Sequence, residues 1–292
     1  MSTVRFVALG DSITVGLGDP MPDRSWRGWA ALLAESLDGE VEFHNVAELG
    51  AQTHTAISRQ LPTALTLLRQ APGPTIAAAV IGVNDTLRGS FDLNRTGRAM
   101  HEVVHALHQT GAVVLTCGLP DPGRMFGLPR VLARQLARRV RAVNAVTEAL
   151  AGQYGTVHFD AANHEQTYER RMWSVDRLHP SERGHRLLAR SFGAILRERG
   201  VDVRELDPEP TNPPPTRLAS LRWLATKGTK WVLDRSTDLV PNLIGLSMVE
   251  FWHGVRGLTA RLDQRITADI RSTIEAIEGP SDTCADLEVV TI

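Results

Sequence analysis

The strongest constraint on this chain is a repeated switch in hydrophobic period. Five short apolar or β-branched runs, Val4 to Leu9, Val41 to Asn45, Thr75 to Ile81, Ala112 to Cys117 and Thr156 to Phe159, read as buried strands. Between them Trp26 to Leu37, Ala56 to Arg69, Thr96 to Thr110 and Pro129 to Gly152 repeat their apolar residues at helical spacing. Strands buried on both faces need helices on both faces, joined by right-handed crossovers. The expected class is therefore α/β, a three-layer α/β/α sandwich around a central, mostly parallel five-stranded sheet. Reactive groups in such sheets gather at the carboxyl ends of the strands, which directs attention to the residues that follow each run.

After the first run comes Gly10-Asp11-Ser12-Ile13-Thr14, a serine placed on a tight strand-to-helix turn that exposes its hydroxyl and offers backbone N–H groups to developing negative charge. Far downstream, Asp176-Arg177-Leu178-His179-Pro180 sets a carboxylate and an imidazole three residues apart. The proline disfavours helix at His179, so both side chains belong to a loop before the final helix. Such an imidazole can take the proton of Ser12 while Asp176 holds its tautomer. Alone, each motif has a plainer account: Gly-Asp-Ser is a common turn, and Asp176 with His179 would serve equally to cap a helix.

Taken together and in order, four segments make the chain similar to the SGNH hydrolases, also called the GDSL lipase and esterase family. Gly10-Asp11-Ser12 resembles the nucleophile block, Gly50 within Glu48 to Thr53 the glycine block, Gly82-Val83-Asn84-Asp85 the asparagine block, and Asp176 to His179 the acid–base block. The resemblance covers about the first two hundred residues and implies a flavodoxin-like sheet. It implies catalysis by Ser12, His179 and Asp176, with an oxyanion hole formed by the N–H groups of Ser12 and Gly50 and the amide of Asn84. Fixed donors of this kind are worth about 3 to 4 kcal/mol each in acyl transfer. Asp11, Gly82 and Asp85 are expected to support the site, Asp11 by bonding nearby backbone and Asp85 by capping.

The expected activity is serine-dependent hydrolysis of carboxylic esters, by an esterase, deacylase, lipase-like enzyme or carbohydrate O-deacetylase acting on a small-molecule ester. An acyltransferase would use the same machinery with an alcohol or sugar acceptor, and a non-catalytic scaffold is the rival from another class. The Gly- and Pro-rich segment Gly118 to Gly127 follows a strand and should overhang the site. Trp26, Arg124, Met125, Phe126 and Trp173 are the candidate substrate-pocket residues, although each would also serve as packing.

Composition narrows the partners. Lys and Arg number 32 against 33 Asp and Glu, so no net field draws nucleic acid. The two cysteines, Cys117 and Cys284, form no disulfide framework, and the apolar stretch at the start is too short for a signal-peptide core. A cytoplasmic protein without a transmembrane segment is expected. No cofactor is expected, since the nucleotide-loop patterns are missing after Gly16-Leu17-Gly18. No metal is expected either, since His101, His105 and His108 read as a solvated or half-buried helical face.

Residues 1–205 are expected to form the catalytic domain. Five prolines between Asp207 and Thr216 mark a semi-rigid linker over 206–216. Helical spacing in Leu218 to Ala225, Leu239 to Trp252 and Leu258 to Ile270 marks a helical extension over 217–278, before a loose tail, 279–292. That extension could dock on the catalytic unit, support self-association, or touch a peripheral surface.

Overall fold

Strand β1 (Val4–Gly10) turns Phe6 and Ala8 to one side and Val7 and Leu9 to the other, and all four are fully buried. A side chain such as Phe6 or Leu9 stabilises the fold by about 1.5 to 3 kcal/mol when buried in this way. With β2 (Val41–Asn45), β3 (Thr75–Val80), β4 (Val113–Gly118) and β5 (Val157–Asp160) it builds a five-stranded sheet in the order β2-β1-β3-β4-β5. Every neighbouring pair is parallel. The computed structural model describes residues 3–126, 130–211 and 255–278, with positions 245, 248 and 252.

The helices, in chain order, are α1 (Ser12–Val15), α2 (Gly28–Ser36), α3 (Thr53–Thr55), α4 (Leu61–Arg69), α5 (Val83–Thr86), α6 (Leu93–His108), α7 (Pro122–Phe126), α8 (Arg130–Tyr154), α9 (Glu182–Glu198) and α10 (Thr259–Glu278). A π-helical turn, Ala56–Gln60, leads into α4. On one face of the sheet α2 and α9 bury Trp29, Leu33, Phe192 and Leu196 against Phe6, Ala8 and Ile76, and the Trp29 and Phe192 ring centroids lie 4.9 Å apart. On the other face α4, α6 and α8 bury Ala64, Leu68, Val103, Leu107, Val143 and Val146 against Val7, Leu9 and Ala77. Cys117 lies in the first of these cores, where burial pushes its thiol up to about 12.

Sequence-based boundaries shift by a few residues. The final strand starts at Val157 and runs to Asp160. Helix α6 starts earlier than its apolar spacing suggests because Asp92 caps it, its side chain accepting from the Arg95 N–H at 2.7 Å. Helix α2 starts at Gly28, later than expected, after a Pro20–Trp26 bridge.

Of the expected C-terminal extension, α10 docks on the outer side of α6 and α8. Thr273 and Ile277 are buried there, in a groove that exists because α6 has no side chain at Gly97. A Cβ on Gly97 would stand 2.6 Å from Thr273 Cγ2 and 3.4 Å from Ile277 Cδ1. The Thr273 hydroxyl donates to Asn94 Oδ1 at 2.7 Å, and Arg138 Nε of α8 donates to Asp263 Oδ1 at 2.7 Å. The expected helices over 217–254, apart from the three positions named above, and the tail 279–292 lie outside the described residues.

Gly97→Leu should therefore loosen α10 specifically, lowering stability by about 1 to 3 kcal/mol as overpacking does. Hydrogen exchange should accelerate across 259–278 while the sheet amides keep their protection; uniform exchange changes would contradict this docking.

Candidate active site

The strand order reverses direction between β1 and β3, so their carboxyl ends open a crevice between diverging crossovers. Ser12 stands in that crevice. Asp11 caps α1, its Oδ1 accepting from the Ile13 N–H at 2.9 Å, and Ser12 is the first helical residue. The Ser12 N–H has no partner among the described residues.

Asp176 and His179 lie on the loop between β5 and α9. Its two arms meet at a Trp173–Pro180 bridge, with Ser174 N–H donating to His179 O at 2.9 Å and Ser181 N–H to Met172 O at 2.8 Å. At the tip Arg177 takes φ +57°, a conformation that non-glycine residues seldom adopt and that functional loops often hold. Asp176 Oδ1 accepts from Ser174 Oγ (2.6 Å), Leu178 N (2.9 Å) and His179 N (3.0 Å). Its Oδ2 accepts from His179 Nδ1 at 2.7 Å. Although burial raises the Asp176 carboxyl, the imidazole and these donors outweigh it and bring the carboxyl down to about 2. An ionised Asp176 selects the tautomer with hydrogen on Nδ1, leaving Nε2 to accept from Ser12 Oγ at 2.9 Å.

Two further loops flank Ser12. Gly50 takes φ +72°, the left-handed conformation that glycine adopts without penalty, in a turn where Ala51 N–H donates to Glu48 O. The Gly50 N–H also lacks a partner among the described residues. Asn84, following Gly82 at the end of β3, donates from Nδ2 to Asp11 Oδ2 (3.2 Å) and Ala51 O (3.0 Å), so one carboxamide links all three loops. Asp85 is buried and accepts from Thr53 N–H (3.0 Å) and Thr53 Oγ (2.8 Å), locking α5 to α3; burial raises its carboxyl above the ordinary value. Gly82 starts α5 with φ +106°.

Of the expected pocket residues, Trp173 and Met125 come together in one cluster. Trp173 is buried with Met172 and Leu187, its indole N–H donating to Thr167 O at 2.6 Å, and Met125 packs on this cluster. These contacts brace the Asp176–His179 loop. The Arg124 guanidinium lies 3.5 Å over the Tyr168 ring. Trp26 is part exposed, and the side chain of Phe126 lies outside the described residues. His101, His105 and His108 surround Tyr154, with His101 Nε2 at 2.7 Å from its hydroxyl.

Three supporting residues escape motif reading. Ser174 donates to the Asp176 carboxylate. His185 of α9 is fully buried: its Nδ1 accepts from Trp29 N–H at 3.2 Å and its Nε2 donates to Leu17 O at 3.1 Å, tying α9 to the loop after Ser12. Burial brings that imidazole down to about 4, so it stays neutral. Gln60 bonds both peptide groups of Gly10. Its signal was present in the sequence, a carboxamide among Ile57, Leu61 and Ala64 on an apolar helical face.

Asp11 is 1% exposed, and burial pushes its carboxyl up to about 6 from an ordinary 3.8. A folded-state value above the unfolded one means that the stability linked to this group is fully present below about pH 4 and is lost as pH rises through about 6, a change of about 3 kcal/mol. Asp11→Asn cannot titrate. Denaturant melts should show the variant gaining on the wild type by that amount between about pH 4 and about pH 7; a pH-independent gap would mark Asp11 as an ordinary carboxylate.

The sequence profile of the GDSL-like Lipase/Acylhydrolase family matches residues 8–187. Among solved structures, a member of the lipolytic protein G-D-S-L family from Veillonella parvula DSM 2008 aligns with a TM-score of 0.51 at 22% identity, covering 64% of this chain and 95% of that one. LAE5, an alpha/beta hydrolase enzyme from the metagenome of Lake Arreo, Spain, aligns with a TM-score of 0.53 at 19% identity, over 65% and 94%. Axe2, an acetylxylan esterase from Geobacillus stearothermophilus, aligns with a TM-score of 0.51 at 18% identity, over 71% and 97%. At these identities the likeness establishes a shared fold. No curated protein sequence matches the chain.

Proposed function

The chain belongs to the GDSL-like Lipase/Acylhydrolase family, and we propose that it is a serine-dependent carboxylic ester hydrolase with Ser12 as nucleophile, His179 as base and Asp176 as its orienting partner. The observation that carries this reading is the continuous chain of hydrogen bonds from Ser12 Oγ through His179 to Asp176, at 2.9 and 2.7 Å.

Ser12 Oγ attacks the ester carbonyl while His179 Nε2 takes its proton, and the imidazolium that forms is stabilised by ionised Asp176. Charge developing on the carbonyl oxygen is met by the N–H groups of Ser12 and Gly50 and by the Asn84 amide, which turns toward the oxyanion one of the two N–H groups it otherwise donates to Asp11 and Ala51. The tetrahedral intermediate expels the alcohol, which receives the proton from His179, and leaves an acyl group on Ser12. Water then attacks the acyl carbonyl, giving its proton to His179; the carboxylic acid departs and Ser12 Oγ regains its proton. Leu49 beside Gly50 is 63% exposed and Trp26 38%, apolar surface consistent with an acyl or alkyl group held near the rim. No helix among the described residues is long and apolar enough to cross a membrane.

Ser12→Ala should lower kcat on a short acyl ester by about 10^4-fold or more and abolish fluorophosphonate labelling. A variant that hydrolyses at the wild-type rate would remove Ser12 from the chemistry. Asp176→Asn should lower kcat by about 10^3- to 10^4-fold with little change in KM, because the His179 tautomer is lost while the site keeps its shape. An acyl-chain-length series run beside acetylated sugars, prompted by the fold shared with Axe2, assigns the substrate class.

A further inference from the structure

In a parallel sheet the N–H and C=O of alternate residues face the same neighbouring strand. Val46 N–H donates to Ala8 O at 2.9 Å, so Ala8, and two residues later Gly10, direct their peptide groups toward β2. But β2 ends at Asn45, and the chain leaves the sheet to form the turn that carries Gly50. It sends back one contact, Glu48 N–H to Gly10 O at 3.2 Å. Gly10 is buried, and its N–H would be orphaned at the residue from which the nucleophile turn springs.

Gln60 supplies the missing rung. Its side chain is 1% exposed; Oε1 accepts from Gly10 N–H at 2.9 Å and Nε2 donates to Gly10 O at 2.9 Å. The carboxamide oxygen stands in for the acceptor that β2 no longer offers to Gly10 N–H, and its N–H joins Glu48 N–H as a second donor to Gly10 O. Gln60 closes the π-helical turn Ala56–Gln60, and such turns recur where one extra residue must bring a side chain into functional register.

We propose that Gln60 is a positioning residue for ester hydrolysis: its carboxamide oxygen takes the place of the acceptor lost where β2 ends and its N–H holds Gly10 O together with Glu48 N–H, so that the Gly50 loop can peel away from the sheet while Gly10 still aims Ser12 at the same point. The inference rests on the ester-hydrolase reading above. It explains why a neutral amide lies buried beneath the nucleophile, and it assigns Gln60 an effect on kcat through Gly10, without contact to substrate.

Two variants test it, assayed well below their melting temperatures with Ser12→Ala as control. Gln60→Met keeps the size and removes both bonds; kcat should fall about 10- to 100-fold while KM stays within about threefold. Gln60→Glu is the sharper probe. A neutral carboxyl can accept from Gly10 N–H and donate to Gly10 O, whereas a carboxylate cannot donate. The ratio of its kcat to that of the wild type should be near one at acid pH and fall at least about tenfold as pH rises, a dependence that a general loss of packing would not produce. A flat ratio near one, a Gln60→Met enzyme with wild-type kcat, or failure of both variants to fold would overturn the positioning role. An active Ser12→Ala control would instead overturn the hydrolase reading, so the two failures separate.

Discussion

A single 2.9 Å hydrogen bond, from Ser12 Oγ to His179 Nε2, closes 167 residues of sequence, and much of the molecule serves to keep its two ends in place. One end springs from β1, an interior strand of the sheet. The other lies on a loop that has no sheet of its own, braced by Trp173 beneath it and by the cap of α9 behind it. His185 spans the interval between them, donating to Leu17 beyond Ser12 from a helix that begins three residues after His179. Because that imidazole is buried and holds no proton on Nδ1 at ordinary pH, it binds two backbone groups without adding a charge beside His179.

The parts of this arrangement that depend on local chemistry were legible in the sequence. Alternating periods announce an α/β sheet because each strand must be covered on both faces, and Gly10, Ser12, Gly50 and Asn84 fall just past those runs because strand ends are where such a fold leaves groups uncommitted, while His179 falls just ahead of the final helix. The parts that depend on long-range pairing were not. Nothing near Gln60 in the chain indicates that its amide meets Gly10, and nothing near Gly97 indicates that Thr273 returns to fill the space above it. Trp173 illustrates the ambiguity of aromatic residues: next to a motif it suggests a pocket wall, while in the fold its ring is enclosed and its N–H satisfied.

A buried group of charges behind the site follows the same logic. Arg27 donates to Asp19 at 3.0 Å and to Glu182 at 2.9 Å, and Arg186 donates to Glu182 at 3.0 Å. Ion pairs so well enclosed give little net stability over an apolar core, because desolvation offsets their attraction. Their contribution is geometric: they join the loop after Ser12, the start of α2 and the first turn of α9, the three segments whose relative placement sets the distance from serine to imidazole.

Glu182 also reaches forward. Its Oε1 accepts from both the N–H and the hydroxyl of Thr211, at 2.6 and 2.9 Å, while Arg186 donates to Asp207 O at 2.9 Å. The opening residues of the proline-rich stretch are thus stitched onto the helix that stands behind His179. A fragment trimmed near residue 205 would leave a buried carboxylate stripped of two donors, three residues from the histidine. Any shortened form of the chain should therefore keep Thr211, whose N–H and hydroxyl belong to this buried group.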